Sequence, residues 1–329
     1  MIIALKPKPQ HLPLIATISV LLILYVTASM RYYGFASWYQ TTSLLTDSAP
    51  LGLAAIGMTF VILSGGIDLS VGAVIALSSI LLAQCMAGAE QGGFNFPSYV
   101  AIPIVLLVGI IFGGSMGILI RLFQLPPFLV TLAGMFLARG VALNLTASKR
   151  LAIVNEPTFD PLVNFLFFGL NLPAIIFIVI LVIAIVISSY TRFGRVVYAI
   201  GGNERSALLA GLPVGSTTVK IYALSGLCAS IGGILYAIGS QSGDASVGYL
   251  LELDAIAAVV IGGTLLSGGV GYVFGTLLGV IILGIITIIP TYEGDLNSWW
   301  TRIAIGGLLF FFIAAQRVLN SLCIKNTSS

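Results

Sequence analysis

Charge is what this chain lacks most. Of its 329 residues only 8% are Asp, Glu, Lys or Arg, while 58% are hydrophobic. A soluble domain carries about 25% charged residues, so the composition excludes an ordinary water-soluble fold and implies a polytopic membrane protein. Histidine is nearly missing: the single one, His11, precedes the first apolar run. The three cysteines, Cys85, Cys228 and Cys323, lie far apart and give neither a disulfide framework nor a metal-ligand spacing. No metal and no cofactor are expected. No Gly-x-x-x-x-Gly-Lys-Ser/Thr stretch is present, so the chain has no phosphate-binding loop of its own. The formal net charge of +3 is spread thinly between apolar runs, as topology determinants are, and does not point to nucleic acid. After Lys6 and Lys8, the run Leu12 to Met30 is too long for a signal-peptide core and reads as a first span.

What is present is a succession of apolar runs. At roughly 20 residues per crossing, they divide into about ten spans near 12–30, 44–65, 68–88, 98–120, 126–147, 173–191, 218–242, 253–267, 270–290 and 298–316. An even number puts both termini on one side. With that side cytoplasmic, its loops hold Lys6, Lys8, Arg121, Arg192, Arg195, Arg205, Lys220, Arg317 and Lys325. The opposite loops hold only Arg31, Lys149 and Arg150, with Arg139 and Arg302 inside spans near the outer end, as the positive-inside rule requires. Trp38 and the pair Trp299-Trp300 then fall at the outer interface. The expected fold is all-α, a single transmembrane domain over 1–329 with glycine-rich interrupted hairpins. An external loop at 148–172 holds Lys149, Arg150, Glu156 and Asp160, and an internal loop spans 192–217. Neither accommodates a soluble domain, so any ATP hydrolysis must come from another chain.

Four stretches carry candidate function. In the first, Gly65 and Gly66 free the backbone, and Asp68 and Ser70 can cap the following helix. The segment is a tight inner turn, a polar lining of a pathway or gate, or both. Leu63-Ser64-Gly65-Gly66 followed by Gly72 recurs as Leu266-Ser267-Gly268-Gly269 followed by Gly275. That echo is either a repeat with interrupted helices or a chance likeness of two glycine-rich hairpins. In the second stretch, Thr131, Gly134 and Ala138 recur at helical spacing for close packing. The neighbouring Arg139 must snorkel outward, face water or pair, and Asp47 is its expected partner. In the third, within 192–217, Asn203 is a cap, 206–210 a short helix and Gly211 its stop. Its apolar face either docks on a cytosolic partner or rests on the membrane. In the fourth, Glu252 and Asp254 stand at the outer end of a short span. With no second catalytic group near them, capping, an ion pair with Arg139 or Arg302, or an external contact is expected rather than acid–base chemistry.

Taken in order, GGIDLSVG at 65–72, TLAGMFLARG at 131–140, YAIGGNERSALLAG at 198–211 and ELDAIAAVVIGGTLLSGG at 252–269 resemble the permease subunits of bacterial ATP-binding-cassette importers for monosaccharides. This is the ribose, xylose, galactose and autoinducer-2 family, and the similarity runs from about residue 45 to 315. The stretch 57–64 and Ser298-Trp299-Trp300-Thr301 look most like the smaller of two permeases of a galactofuranose importer. The resemblance implies the bacterial inner membrane, a cytosolic tandem ATPase, a periplasmic sugar-binding protein and a second permease, either a related chain, the favoured reading, or a second copy of this one. It implies no catalytic residue.

The family's ATPase-coupling segment falls on 192–217, with Asn203, Glu204, Ala207 and Gly211. Ala207 to Gly211 matches its Ala-x-x-x-Gly core, while Glu204-Arg205-Ser206-Ala207 departs from the glutamate-alanine-alanine lead. Translocation path or gate roles fall to Asp47, Gly65, Gly66, Asp68, Ser70, Arg139, Asp254, Gly268 and Gly269. The rival is an ion-driven secondary transporter of a small neutral solute. It needs titratable groups near the midplane, whereas Asp47, Asp68 and Arg139 are expected near span ends.

Overall fold

A computed structural model describes residues 12–88, 93–146, 150–153, 157–294 and 299–327. Lys6, Lys8, His11, Lys149, Glu156 and Ser298 lie outside the described residues, as do the side chains of Arg317, Cys323 and Lys325. The described residues form thirteen helices: α1 Leu12–Arg31, α2 Trp38–Leu63, α3 Val71–Met86, α4 Ser98–Leu122, α5 Pro127–Leu145, α6 Asp160–Val163, α7 Leu172–Tyr190, α8 Arg192–Gly202, α9 Glu204–Leu209, α10 Val214–Ser240, α11 Leu251–Ile261, α12 Val273–Glu293 and α13 Trp299–Thr327. Seven of them, α1, α2, α4, α5, α7, α10 and α12, are long and apolar enough to cross a bilayer.

Most helix ends follow from local chemistry. Helix α2 starts at residue 38 rather than the expected 44 because the Ser37 hydroxyl accepts the Gln40 N–H. The expected spans 68–88 and 253–267 need correction. Their helical parts, α3 and α11, are 16 and 11 residues long, too short at ~1.5 Å per residue to cross a ~30 Å core alone. Each is preceded by non-helical backbone, 64–70 before α3 and 241–250 before α11. Both stretches are tied to neighbouring helices, through Asp68 to Ser225 and through the Ala245, Val247 and Gly248 carbonyls to Arg139. The two helix starts meet: a Cβ on Gly72 would come within 2.4 Å of the Gly248 carbonyl oxygen and 2.5 Å of the Glu252 carboxylate.

The 192–217 segment holds two helices, α8 and α9, where one was expected. The 148–172 loop carries short strands. Strand β1 Leu151–Ala152 pairs antiparallel with β4 Ser242–Gly243, and β2 Leu166–Phe167 with β3 Leu170–Asn171. The β2–β3 turn has Phe168 and Gly169 both at positive φ, as a two-residue hairpin turn requires.

Helices α2 and α10 form the centre, with α10 packed along α4, α2 and α3. Close approach comes from Gly109, Gly113 and Gly117, one α-helical face of α4. A Cβ on Gly113 would lie 2.2 Å from the Tyr222 carbonyl oxygen. In lipid such small-residue contacts let helix backbones gain dispersion contacts that larger side chains would prevent.

Candidate functional site

The two copies of the Leu-Ser-Gly-Gly sequence meet in space. The Gly269 N–H donates to the Leu63 carbonyl at 2.9 Å, and a Cβ on Gly268 would lie 2.8 Å from the Gly65 nitrogen. The end of α8 closes the junction, where a Cβ on Gly201 would stand 1.8 Å from the Leu63 oxygen. Three chain segments therefore touch backbone to backbone at one end of the helix assembly.

Asp68 does not cap α3. The side chain is 1% exposed; its Oδ1 accepts the Ser70 N–H at 2.9 Å and the Ser70 hydroxyl at 2.6 Å. Its Oδ2 accepts the Ser225 hydroxyl of α10 at 2.7 Å. The carboxylate is thus folded back on its own turn and satisfied from across the bundle, leaving Ser70 in the cap position without a side-chain bond to the helix. Next to it, the Tyr222 hydroxyl donates to the Ile67 carbonyl at 3.4 Å, and the Thr131 hydroxyl, bonded to the Pro127 carbonyl of its own helix at 2.9 Å, lies 3.3 Å from the same oxygen. The turn 64–68 is fixed by α5 and α10, and it borders a cavity of about 380 Å³ lined by Ser64, Gly65, Gly66, Gln124, Glu204 and Tyr222.

Helix α9 forms as its sequence dictates, beginning at Glu204 rather than Ser206. Asn203 Oδ1 accepts the Ser206 N–H at 2.8 Å. At the other end Gly211 adopts φ +74°, and its N–H donates to Leu208 O while the Leu212 N–H donates to Ala207 O. This pair of bonds is the Schellman ending, which favours glycine at the left-handed position. Ala207 packs in a small cluster with Ile200 and Val214, whereas Leu209 is 85% exposed. Glu204 reaches Arg121 at the end of α4, 3.1 Å away.

Arg139 and Asp47 do not pair. Helix α5 packs on α3 and α4, while Asp47 faces a separate cleft beside α7. Arg139 Nη1 instead donates to the Ala245 and Val247 carbonyls, both at 2.6 Å, and Nη2 to the Gly248 carbonyl at 3.2 Å. The guanidinium braces the non-helical stretch leading into α11. Asp254 binds Arg302 Nη1 at 2.7 Å, one of its expected alternatives. Glu252 is buried beside Gly72 rather than placed at an outer rim. Sequence reasoning missed Ser225, Arg121 and the carbonyls of 245–248. The first two are ordinary helix residues, and the carbonyls carry no sequence signal.

Residues 40–313 match the family model described as branched-chain amino acid transport system / permease component. The chain is 47% identical over 325 residues to the inner membrane ABC transporter permease protein YjfF of Escherichia coli (strain K12), which covers 97% of this chain and 96% of that one. It is 34% identical to the fructose import permease protein FruG of Bifidobacterium longum (strain NCC 2705), over 95% and 93% of the two chains. It is 33% identical to the ribose import permease protein RbsC of Haemophilus influenzae (strain ATCC 51907 / DSM 11121 / KW20 / Rd), over 92% of each. No solved structure matches. With a match across most of its length and relatives aligned nearly end to end, the chain belongs to this permease family of ATP-binding-cassette importers, a multi-pass inner-membrane transport protein and not an enzyme.

Proposed function

We propose that the chain is the permease subunit of a monosaccharide importer, with galactofuranose or a related neutral sugar as its cargo. The observation that carries this reading is that the relatives aligned over nearly the whole chain include permeases named for fructose, ribose and galactose. The resemblance of 57–64 and 298–301 to the smaller galactofuranose permease supports the narrower choice. The end bearing α8 and α9 is cytoplasmic in this reading. Arg121, Arg192, Arg195, Arg205 and Lys220 all belong to segments at that end, in keeping with the inward bias of basic residues. With 64–70 plus α3 and 241–250 plus α11 each completing one crossing, the chain makes ten crossings with both termini inside.

In this proposal the 192–217 segment couples the permease to a tandem ATPase, and exposed Leu208 and Leu209 on α9 supply the apolar contact. A periplasmic sugar-binding protein delivers cargo, and a related second permease completes the pathway. Gly65, Gly66, Asp68, Ser70, Gly268 and Gly269 form the inner gate.

The test is uptake of labelled sugars by proteoliposomes holding the full assembly, with and without ATP and binding protein. ATP-dependent sugar accumulation supports the reading. Leucine accumulation in its place keeps the architecture and rejects the cargo. Accumulation by this chain alone under an ion gradient rejects the importer reading. For coupling, Gly211→Val should leave insertion intact and lower the ratio of sugar moved to ATP hydrolysed. A Cβ there meets open space, so the cost is the left-handed backbone at α9's end, about 1–2 kcal/mol. An unchanged ratio would reject the role of α9.

A further inference from the structure

At the end of the molecule opposite α9, a cleft of about 500 Å³ opens between the first turns of α2, the β2–β3 hairpin and the start of α7. Its walls include Trp38, Thr42, Ser43, Thr46, Asp47 and Asn171. The size lies within the ~300–1,000 Å³ range of small-molecule sites.

The polar groups here are underused by the protein. Asp47 is exposed to the cleft and has one hydrogen bond among the described residues, from the Ser43 hydroxyl to Oδ2 at 3.3 Å, with no cation beside it. Asn171 holds the cap position of α7 but makes no side-chain bond to that helix. The Thr42 and Thr46 hydroxyls spend their protons on the Tyr39 and Thr42 carbonyls, so their oxygens remain as acceptors. Trp38 is held at one edge, where Nε1 donates to the Phe168 carbonyl at 3.2 Å. The ring rests on Gly169, at which a Cβ would come within 2.7 Å of Nε1.

We propose that this cleft is a binding subsite for a neutral polyhydroxylated ligand, a monosaccharide, on the entry side of the permease. A ring of hydroxyl donors suits a wall of acceptors centred on one free carboxylate oxygen, with Asn171 able to accept and donate. The aromatic face of Trp38 suits the apolar face of a sugar ring. No lysine or arginine lines the cleft to receive an anion or the carboxylate of an amino acid. The inference rests on the sugar-importer reading and adds to it a place and a set of contacts.

The test uses the full assembly in proteoliposomes, with Val163→Cys on the cleft wall as reporter. A membrane-impermeant methanethiosulfonate is applied from the Trp38 side, and labelling of the parent chain, whose Cys85 and Cys228 are buried, is subtracted. The probe is whichever monosaccharide the unmodified assembly accumulates, given without binding protein. It should slow labelling by about tenfold at saturation, and leucine should not. Asp47→Asn should abolish that protection and reduce uptake about tenfold, while leaving the unprotected labelling rate and the ATPase stimulation by binding protein unchanged. Trp38→Leu should weaken protection in the same way, which keeps the test open if the first variant folds poorly. Equal protection in both variants overturns the site. So does protection by empty binding protein but not by free sugar, which would assign the cleft to protein docking. Absence of any monosaccharide uptake by the unmodified assembly is a different failure: it rejects the importer reading, and this site falls with it.

Discussion

Sugar uptake is expected to fall below detection in a Gly269→Leu variant that reaches the membrane in normal amounts. Gly269 sits at φ +75°, where a side chain costs about 1–2 kcal/mol. A Cβ there would lie 2.8 Å from the Gly202 nitrogen and 2.9 Å from its Cα. Both neighbours are backbone, so the usual ~1–3 kcal/mol penalty of overpacking is a lower bound, because no rotamer can swing away. The segment must then withdraw from Leu63 and lose the 2.9 Å hydrogen bond joining the two glycine-rich turns. Gly66→Leu should act alike, since its Cβ would stand 2.6 Å from the Tyr222 hydroxyl. The control is Gly140→Leu, exposed on α5 with no atom within 4 Å of its Cβ position, which should change stability by no more than about 0.5 kcal/mol. Uptake at the normal rate by Gly269→Leu and Gly66→Leu, at normal expression, would show that the turns do not depend on close packing.

Arg139→Ala should lower the melting temperature of the purified protein and expose the 245–248 stretch. Three carbonyls lose the guanidinium donor at once, although that of Gly248 keeps the Leu251 N–H, and hydrogen bonds to a charged group contribute about 1.5–3 kcal/mol each. Lysine should not rescue the loss. Its ammonium is a point donor, whereas the guanidinium fork spans the carbonyls of Ala245, Val247 and Gly248 together. The direct readout is thiol labelling at Ala245→Cys, a buried position, which should quicken in the Arg139→Ala background. An unchanged melting temperature together with unchanged labelling would sink the bracing role.

Much of the architecture was legible because bilayer thickness imposes run length. The long helices follow the apolar runs to within a few residues, except that Ser37 starts α2 early and α13 runs on to Thr327, past the expected end at 316. Asn203 and Gly211 were readable because capping and left-handed stops are local properties of a few residues. The meeting of the two Leu-Ser-Gly-Gly copies was signalled by their likeness, although their contact is a tertiary fact. The partner of Arg139 could not be read. Sequence reasoning searches for opposite charges, and this arginine is satisfied by main-chain carbonyls, which every residue possesses. Asp68 misled for a related reason. Its turn has the composition of a helix cap, but the choice between cap and cross-bundle bond depends on Ser225, 157 positions away. The breaks before α3 and α11 fall on the Gly65-Gly66 turn and on the polar stretch 241–250, at or between expected span ends; what was hidden is how short the two helices are.

The junction of Leu63, Gly65, Gly201 and Gly269 has a mechanical consequence. Side chains act as cushions: they rotate, compress and absorb small displacements before neighbouring backbones feel them. Here there is no cushion, since main chain lies on main chain across three segments. A displacement of the α8–α9 pair therefore reaches the end of α2 and the start of α12 nearly undiminished, as a push passes through stones stacked without mortar. Under the proposed coupling through α9, the stroke delivered to the core would be set by how far α9 is moved, not by the compliance of what lies between.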